Sequence, residues 1–452
     1  LEDVPPKMEI IEGKNTIVAG LPLTMFEQGT NGLVYQQIVV NLPEIENELL
    51  QLIPYFSSCM TELGCGELDY LETQAWQDRV SGGINAHTAI MSELGNVQNV
   101  DGYFVLSGKA LSRNYESLLQ LMEKTLNSVR FDEYPRIREI IAQQRAGREQ
   151  SVTGNGHMLA MIAAASGISP KAALSHKLQG LSGIKHIKKL DDELKSEQFI
   201  KGFADNLIQI HQRLLNAPKQ LLFVCENEYQ SEFQSKLENI SGNFKSKSDE
   251  FRTFNLEPVD QLVKQAWITS SQVNFCAKAF PTVTMDHPDA APLAVLGGFL
   301  KNGYLHRAIR EQGGAYGGGA SHDSDTTSFR FYSYRDPRLT DTLDDFDQSI
   351  QWLLAEKHEW RQVEEAILGV IGKMDKPGSP AGDAKESFYN RLFGRTPEKR
   401  QLFRERVLAV TLDDLKSVGE QYLVPDKASV AVICSAEKEN ECKDLGLEII
   451  PL

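Results

Sequence analysis

Val34-Tyr35-Gln36-Gln37-Ile38-Val39-Val40-Asn41-Leu42 is a short, largely apolar and β-branched run, and it reads as a strand. A helical run follows, with apolar residues at Ile45, Leu49, Leu52, Phe56 and Met60. In the second half, Val273-Asn274-Phe275-Cys276-Ala277-Lys278-Ala279-Phe280 reads the same way, and Ala290 to Leu300 reads as the helix after it. Each copy then reaches a tyrosine-led helix that runs into a Gly-Gly pair, Tyr70 to Gly83 and Tyr304 to Gly314. Alternating strands come next, Gly102 to Ala110 and Ser328 to Arg335. Amphipathic helices follow them, through Leu118, Leu119, Met122 and Leu126 and through Leu343, Phe346, Ile350 and Leu353. Further helices start near Tyr134 and Trp360, and each copy closes on an apolar strand, Leu221 to Cys225 and Val430 to Cys434.

A long internal repeat of this kind predicts an α+β fold of two units, each a mixed, largely antiparallel sheet covered by helices. The first copy is longer, mainly through Gly154 to Lys189. Asn239 to Asp260 is polar and reads as an exposed linker, which places the units at residues 1–255 and 256–452.

The 452 residues carry a formal net charge of −15, which disfavours a nucleic-acid or anionic-membrane partner, since both need concentrated positive charge. Six cysteines, at 59, 65, 225, 276, 434 and 442, fit no common zinc or redox spacing and read as thiols of a reducing compartment. The longest apolar stretches, such as Met158 to Ala165, are too short to span a bilayer. No targeting segment is visible, so the expected location is cytoplasmic, or an organelle matrix if a transit segment precedes Leu1.

The nine histidines, at 87, 157, 176, 186, 211, 287, 306, 322 and 358, include no two at a spacing of three or four. Neither His-Glu-x-x-His nor His-x-x-Glu-His is present, and each histidine reads as a surface or hydrogen-bonded residue. No Gly-x-Ser-x-Gly elbow or Gly-x-Gly-x-x-Gly fingerprint exists, and the P-loop-like run at Gly102 to Ala110 is a strand. One stretch stands apart: Ile309-Arg310-Glu311-Gln312-Gly313-Gly314-Ala315-Tyr316-Gly317-Gly318-Gly319, with five glycines between 313 and 319. Arg310 offers a fork of donors at any relevant pH, and Tyr316 offers a neutral phenol donor. Together they suit a peptide carbonyl and the charge that develops on it during hydrolysis. On the residues alone a purely structural reading is open too, and it is the one they favour. In it the glycines allow tight helix–sheet packing, Arg310 pairs with a carboxylate, and Tyr316 packs.

Here the chain resembles the presequence-protease and falcilysin branch of the pitrilysin/insulinase metallopeptidases. The residues that carry the resemblance are His287-Pro288-Asp289, the run Tyr304 to Gly319 and Phe331-Tyr332-Ser333-Tyr334-Arg335-Asp336-Pro337. Thr30 to Tyr35, Gly156-His157-Met158-Leu159-Ala160 and Leu178-Gln179-Gly180-Leu181 match as well. The resemblance implies the C-terminal half of a zinc metalloendopeptidase that degrades unfolded peptides in a closed chamber. Residues 1–255 would be its third unit and 256–452 its fourth. Zinc would be held by the N-terminal half, the partner of this chain, and this half alone would be inactive. Arg310 and Tyr316 would be the catalytic residues of this half, with Gly313, Gly314, Ala315 and Gly317 contacting the peptide. Related folds also serve as non-catalytic peptide-binding or scaffold subunits of processing-peptidase complexes, and that reading stays open at the level of sequence.

Overall fold

The computed structural model describes residues 1, 3–5, 7–246 and 251–452. The opening run forms β3 (Leu33–Asn41), an inner strand of a six-stranded sheet. Its companions are β1 (Lys14–Val18), β2 (Leu21–Glu27), β4 (Ile84–Glu93), β5 (Asn96–Leu111) and β6 (Lys219–Cys225), in the order β1-β2-β6-β3-β5-β4. A second sheet holds β7 (Lys264–Thr269), β8 (Phe275–Pro281), β9 (Gly317–Asp323), β10 (Ser328–Tyr334), β11 (Ser429–Ser435) and β12 (Glu448–Pro451). Its order is β12-β7-β11-β8-β10-β9. Only β2–β6, β7–β11 and β7–β12 pair in parallel, so both sheets are mixed and largely antiparallel.

Five strands of one sheet match five of the other in order, and the sixth is recruited from opposite ends of the chain. In the first sheet β1 closes a hairpin on β2, while in the second β12 runs parallel to β7. The repeat read from sequence lacked β1, β2, β7 and β12, which are short or edge segments with weak patterns of their own. It also lacked β4 and β9, whose outer edges are unpaired and whose composition is polar or glycine-rich.

Helices cover one face of each sheet as the amphipathic runs require. Phe56, Leu118, Met122, Ile137 and Leu207 meet Ile38, Phe104 and Leu221 in one core; Leu296, Phe346, Ile367 and Leu415 meet Phe280, Phe331 and Val432 in the other. The opposite faces are covered too, and by the other unit. Val152, Ala160, Ala163, Ala164 and Ile184 of the first unit pack on Trp267, Phe275, Ala277 and Ile433 of the second sheet. In return, Ala381, Ala384 and Phe388 of the helix Pro380–Leu392 pack on Phe26, Val39, Val105 and Val224 of the first sheet. Strands buried on both faces explain why the opening runs are largely apolar without alternating cleanly. The segment that lengthens the first copy, Gly154 to Lys189, therefore covers its neighbour's sheet.

Each sheet is built wholly from one side of residue 255, while the covering segments cross over. Asp325, in the β9–β10 turn, takes Lys171 Nζ at 3.2 Å on one oxygen and pairs with Arg395 through the other. Both exchanged segments are thereby tied to one carboxylate. The expected exposed linker is also partly anchored: Phe244 and Phe254 are buried in the first core, and Gln98 exchanges hydrogen bonds of 2.9 and 2.8 Å with the backbone of Val259. Residues 247–250 of that segment lie outside the described residues.

His176 corrects the reading of every histidine as exposed or hydrogen-bonded. It is buried, its Nδ1 has no partner among the described residues, and its ring meets Trp267 of the other unit edge-on at 5.6 Å. Burial pushes its pKa down from 6.5 to about 4. Above pH 6.5 it is neutral in both folded and unfolded chains. As pH falls from 6.5 toward 4 the unfolded chain gains a proton that the folded one refuses, so stability falls. The expected loss is about 3 kcal/mol. Chemical denaturation from pH 7 to 4 should show this slope, and His176→Leu should flatten it; equal slopes in both proteins contradict the assignment. Phe388→Ala is expected to cost about 3–5 kcal/mol, read as a lower urea midpoint. An unchanged midpoint would mean the exchanged helix contributes little.

Candidate functional site

The helix Ala290–Leu300 continues into Lys301–Gln312, which is wound as a π-helix. Such wide windings are rare and concentrate at functional positions. Widening brings residues five apart onto one face, and here His306 Nδ1 lies 3.4 Å from Glu311 Oε1. Glu311, the acidic neighbour of Arg310 in sequence, is thus directed to His306.

The helix ends in a turn that repeats the usual left-handed glycine ending with one residue more in its rings. Gly314 N donates to Arg310 O at 3.1 Å, and Ala315 N donates to Ile309 O at 3.1 Å. Gly314 sits at φ +78°, a conformation that a residue with a Cβ adopts at a cost. Gly313 answers a different demand, because a Cβ there would stand 2.0 Å from Nη2 of Arg338. That guanidinium donates to Ala308 O at 3.3 Å and to Asp345 Oδ2 at 2.8 Å, which places a cation at the helix C-terminus. Sequence reading missed Arg338, which lies 24 residues beyond the Gly-Gly pair and has no motif.

After this turn Tyr316 N donates to Tyr334 O at 3.1 Å and to Arg335 O at 3.3 Å, and the chain enters edge strand β9. Tyr316 is 69% exposed, and among the described residues its ring meets only the edge of the Tyr334 ring, at 5.5 Å. Arg310 is also exposed. Among the described residues neither the Arg310 guanidinium nor the Tyr316 hydroxyl has a hydrogen-bond or ion-pair partner. The structural alternative asked Arg310 to pair, which it does not, and Tyr316 to pack, which it does against the Tyr334 ring alone among the described rings. For the glycines it holds in part, since Gly313 is forced by packing. Gly313 and Ala315 are buried, Gly314 is exposed, and Gly317 is half-buried with open space around its Cα.

Five donors on Arg310 and one on Tyr316 thus stand free at the rim of one turn, able to bind a carbonyl or a carboxylate. They occupy an open face; a concavity of about 1020 Å³ lined by Leu52, His186 and Phe203 lies elsewhere, on the first unit. Among the described residues no three His, Cys, Asp or Glu side chains lie together as a metal site.

The model for the domain described as associated with M16 peptidases of subfamily C matches residues 1–190, and that for the PreP C-terminal domain matches residues 264–437. The mitochondrial presequence protease of Danio rerio is 29% identical over 470 aligned residues, covering 98% of this chain and 45% of the relative. That of Yarrowia lipolytica is 29% identical, covering 96% and 43%. The chain thus spans about 45% of the length of the curated relatives it matches. Among solved structures, a conserved protein from Enterococcus faecalis V583 superposes with a TM-score of 0.67 at 13% identity, covering 94% of this chain and 99% of that one. A peptidase M16 inactive domain from Pseudomonas fluorescens superposes at 0.64 and 14% identity, covering 94% and 98%. These two share the fold. With one family model on each unit and relatives matched along nearly its whole length, the chain belongs to the presequence-protease branch of the pitrilysin-type M16 peptidases and corresponds to their C-terminal half.

Proposed function

We propose that this chain is the C-terminal half of a metalloendopeptidase that degrades unfolded peptides, with residues 1–255 and 256–452 as its third and fourth units. The observation that carries the reading is the free Arg310–Tyr316 pair, held on an open face by a turn that requires glycine at position 314. An exposed pair binds weakly in water, because hydrogen bonds to solvent compete with those to ligand. It becomes effective when an opposing surface excludes water, and the part of the relatives not spanned by this chain would supply that surface. Zinc and the residues that hold it are assigned to that part as well.

Within such an enclosure, Arg310 and Tyr316 donate to the carbonyl oxygen of an extended peptide. Their hydrogen bonds strengthen as that oxygen gains charge, which lowers the barrier more than it tightens binding. The turn around Gly313, Gly314, Ala315 and Gly317 lies beside the peptide and lets its backbone approach closely. The catalytic centre is incomplete without the other half, so the chain alone is inactive. No helix among the described residues is long and apolar enough to cross a membrane. The relatives are named as mitochondrial proteins, so we assign an organelle matrix rather than the cytoplasm.

In the full-length enzyme Tyr316→Phe should lower kcat by about 10²–10³ while KM changes by less than a few-fold, as measured with an unstructured peptide. Unaltered kcat would leave the pair a binding or scaffold element. Gly314→Val should destabilise the turn by about 1–3 kcal/mol and lower activity in parallel, since a β-branched residue is strained at φ +78°. Full activity with a normal melting temperature would show that the turn does not hold the pair.

A further inference from the structure

Tyr316 has few contacts of its own to hold its side chain, and those it has lead to Tyr334. Its backbone N–H bridges Tyr334 O and Arg335 O, and its ring meets the Tyr334 ring at 5.5 Å and 72°. Arg335 adopts φ +48°, an uncommon conformation for a residue with a side chain, and such strain persists only where the surroundings determine it. Asn274 and Asp336 fix the next step of the chain through reciprocal backbone hydrogen bonds of 2.8 Å.

The Tyr334 ring is confined in turn. Phe275 packs on it at 5.8 Å and 60°, and the Arg335 guanidinium lies 5.4 Å from its centroid. The remaining contacts come from the other unit. His157 meets the ring edge-on at 4.7 Å and 80°, and the Tyr334 hydroxyl donates to Gly154 O at 3.4 Å. Gly156 makes this approach possible, since a Cβ there would stand 2.7 Å from the Phe275 ring. His157 Nδ1 is buried and unpartnered among the described residues, and burial lowers the pKa of the ring, which favours a neutral, packed imidazole.

Building on the peptidase reading of Arg310 and Tyr316, we infer that Tyr334 is a positioning residue for Tyr316, and that the Gly154–His157 turn of the first unit holds it there. An exposed tyrosine samples several staggered χ1 wells, and each wrong well removes the phenol from the reacting oxygen. The ring of Tyr334 blocks part of that freedom, and the first unit blocks the freedom of Tyr334. The alignment of one donor thereby depends on both units.

The test is steady-state hydrolysis of an unstructured peptide by the full-length enzyme carrying Tyr334→Leu, Tyr334→Phe, Tyr316→Phe and the double variant Tyr316→Phe/Tyr334→Leu. Tyr334→Leu should lower kcat on the order of tenfold with KM within about twofold. Tyr334→Phe, which keeps the ring, should retain most of the activity. In the Tyr316→Phe background Tyr334→Leu should cost nothing more, because the donor it aligns is already gone. Additive losses, or a change confined to KM, overturn the inference. Full activity of Tyr316→Phe instead overturns the underlying reading of the pair. If Tyr334→Leu is too unstable to assay, His157→Ala provides the same cycle, with a smaller loss expected alone and none on top of Tyr316→Phe; additivity there also overturns the inference.

Discussion

The fit of the helix Gly156–Ala165 against the second sheet is the constraint on which the rest of this structure depends. Helix and sheet approach through small residues, Ala160, Ala163 and Ala164 on one side and Ala277, Ala279 and Ala431 on the other. Close approach of this kind lets many weak dispersion contacts form, and no larger side chain can enter without moving a backbone. Because the helix belongs to the first unit and the strands to the second, the contact makes the two sheets one body. The reciprocal seat of Phe388 on Val39, Val105 and Val224 closes the exchange from the other side. Neither sheet can expose its second face without leaving a broad apolar surface in water.

The alternation of strand and helix was legible because it rests on local periodicity. The strands around Phe104 and Phe331 follow from a pattern of two, those around Ile38 and Phe280 from short apolar runs, and the helices starting at Tyr134 and Trp360 from a pattern of 3.6. What was illegible depends on distance. β12 is four residues long and becomes a strand because β7 offers an edge. The 154–189 segment looks like an insertion in the first unit until the sheet it covers is known. Phe254 and Phe244 were hidden in a polar stretch, where two aromatic anchors carry more weight than the charges around them.

The site divides in the same way. Arg310, Tyr316 and the glycines stood out because five glycines so close together need a backbone reason. The π-winding of Lys301–Gln312 had no visible signal, since one extra residue in each ring comes from packing and not from composition. Trp352 shows how: a Cβ on Gly303 would lie 2.3 Å from its ring, so the helix is pressed against the helix Thr340–Ala355 at that point. The role of Arg338 was hidden for a similar reason. Its guanidinium fills the space that a side chain on Gly313 would take and donates to one carbonyl of the helix end, Ala308 O.

A turn that binds its own backbone this thoroughly leaves its two outward donors with nothing to do inside the molecule. Two half-buried arginines of the same unit do find carboxylates, Arg338 with Asp345 and Arg330 with Asp323. By bringing Glu311 to His306, the winding occupies the nearest acidic neighbour of Arg310 in sequence and leaves the cation free. A rare helix geometry, a turn that requires glycine and an unpaired cation occur together at the end of one helix. On the peptidase reading proposed above, that coincidence fits donors whose ligand lies outside the chain.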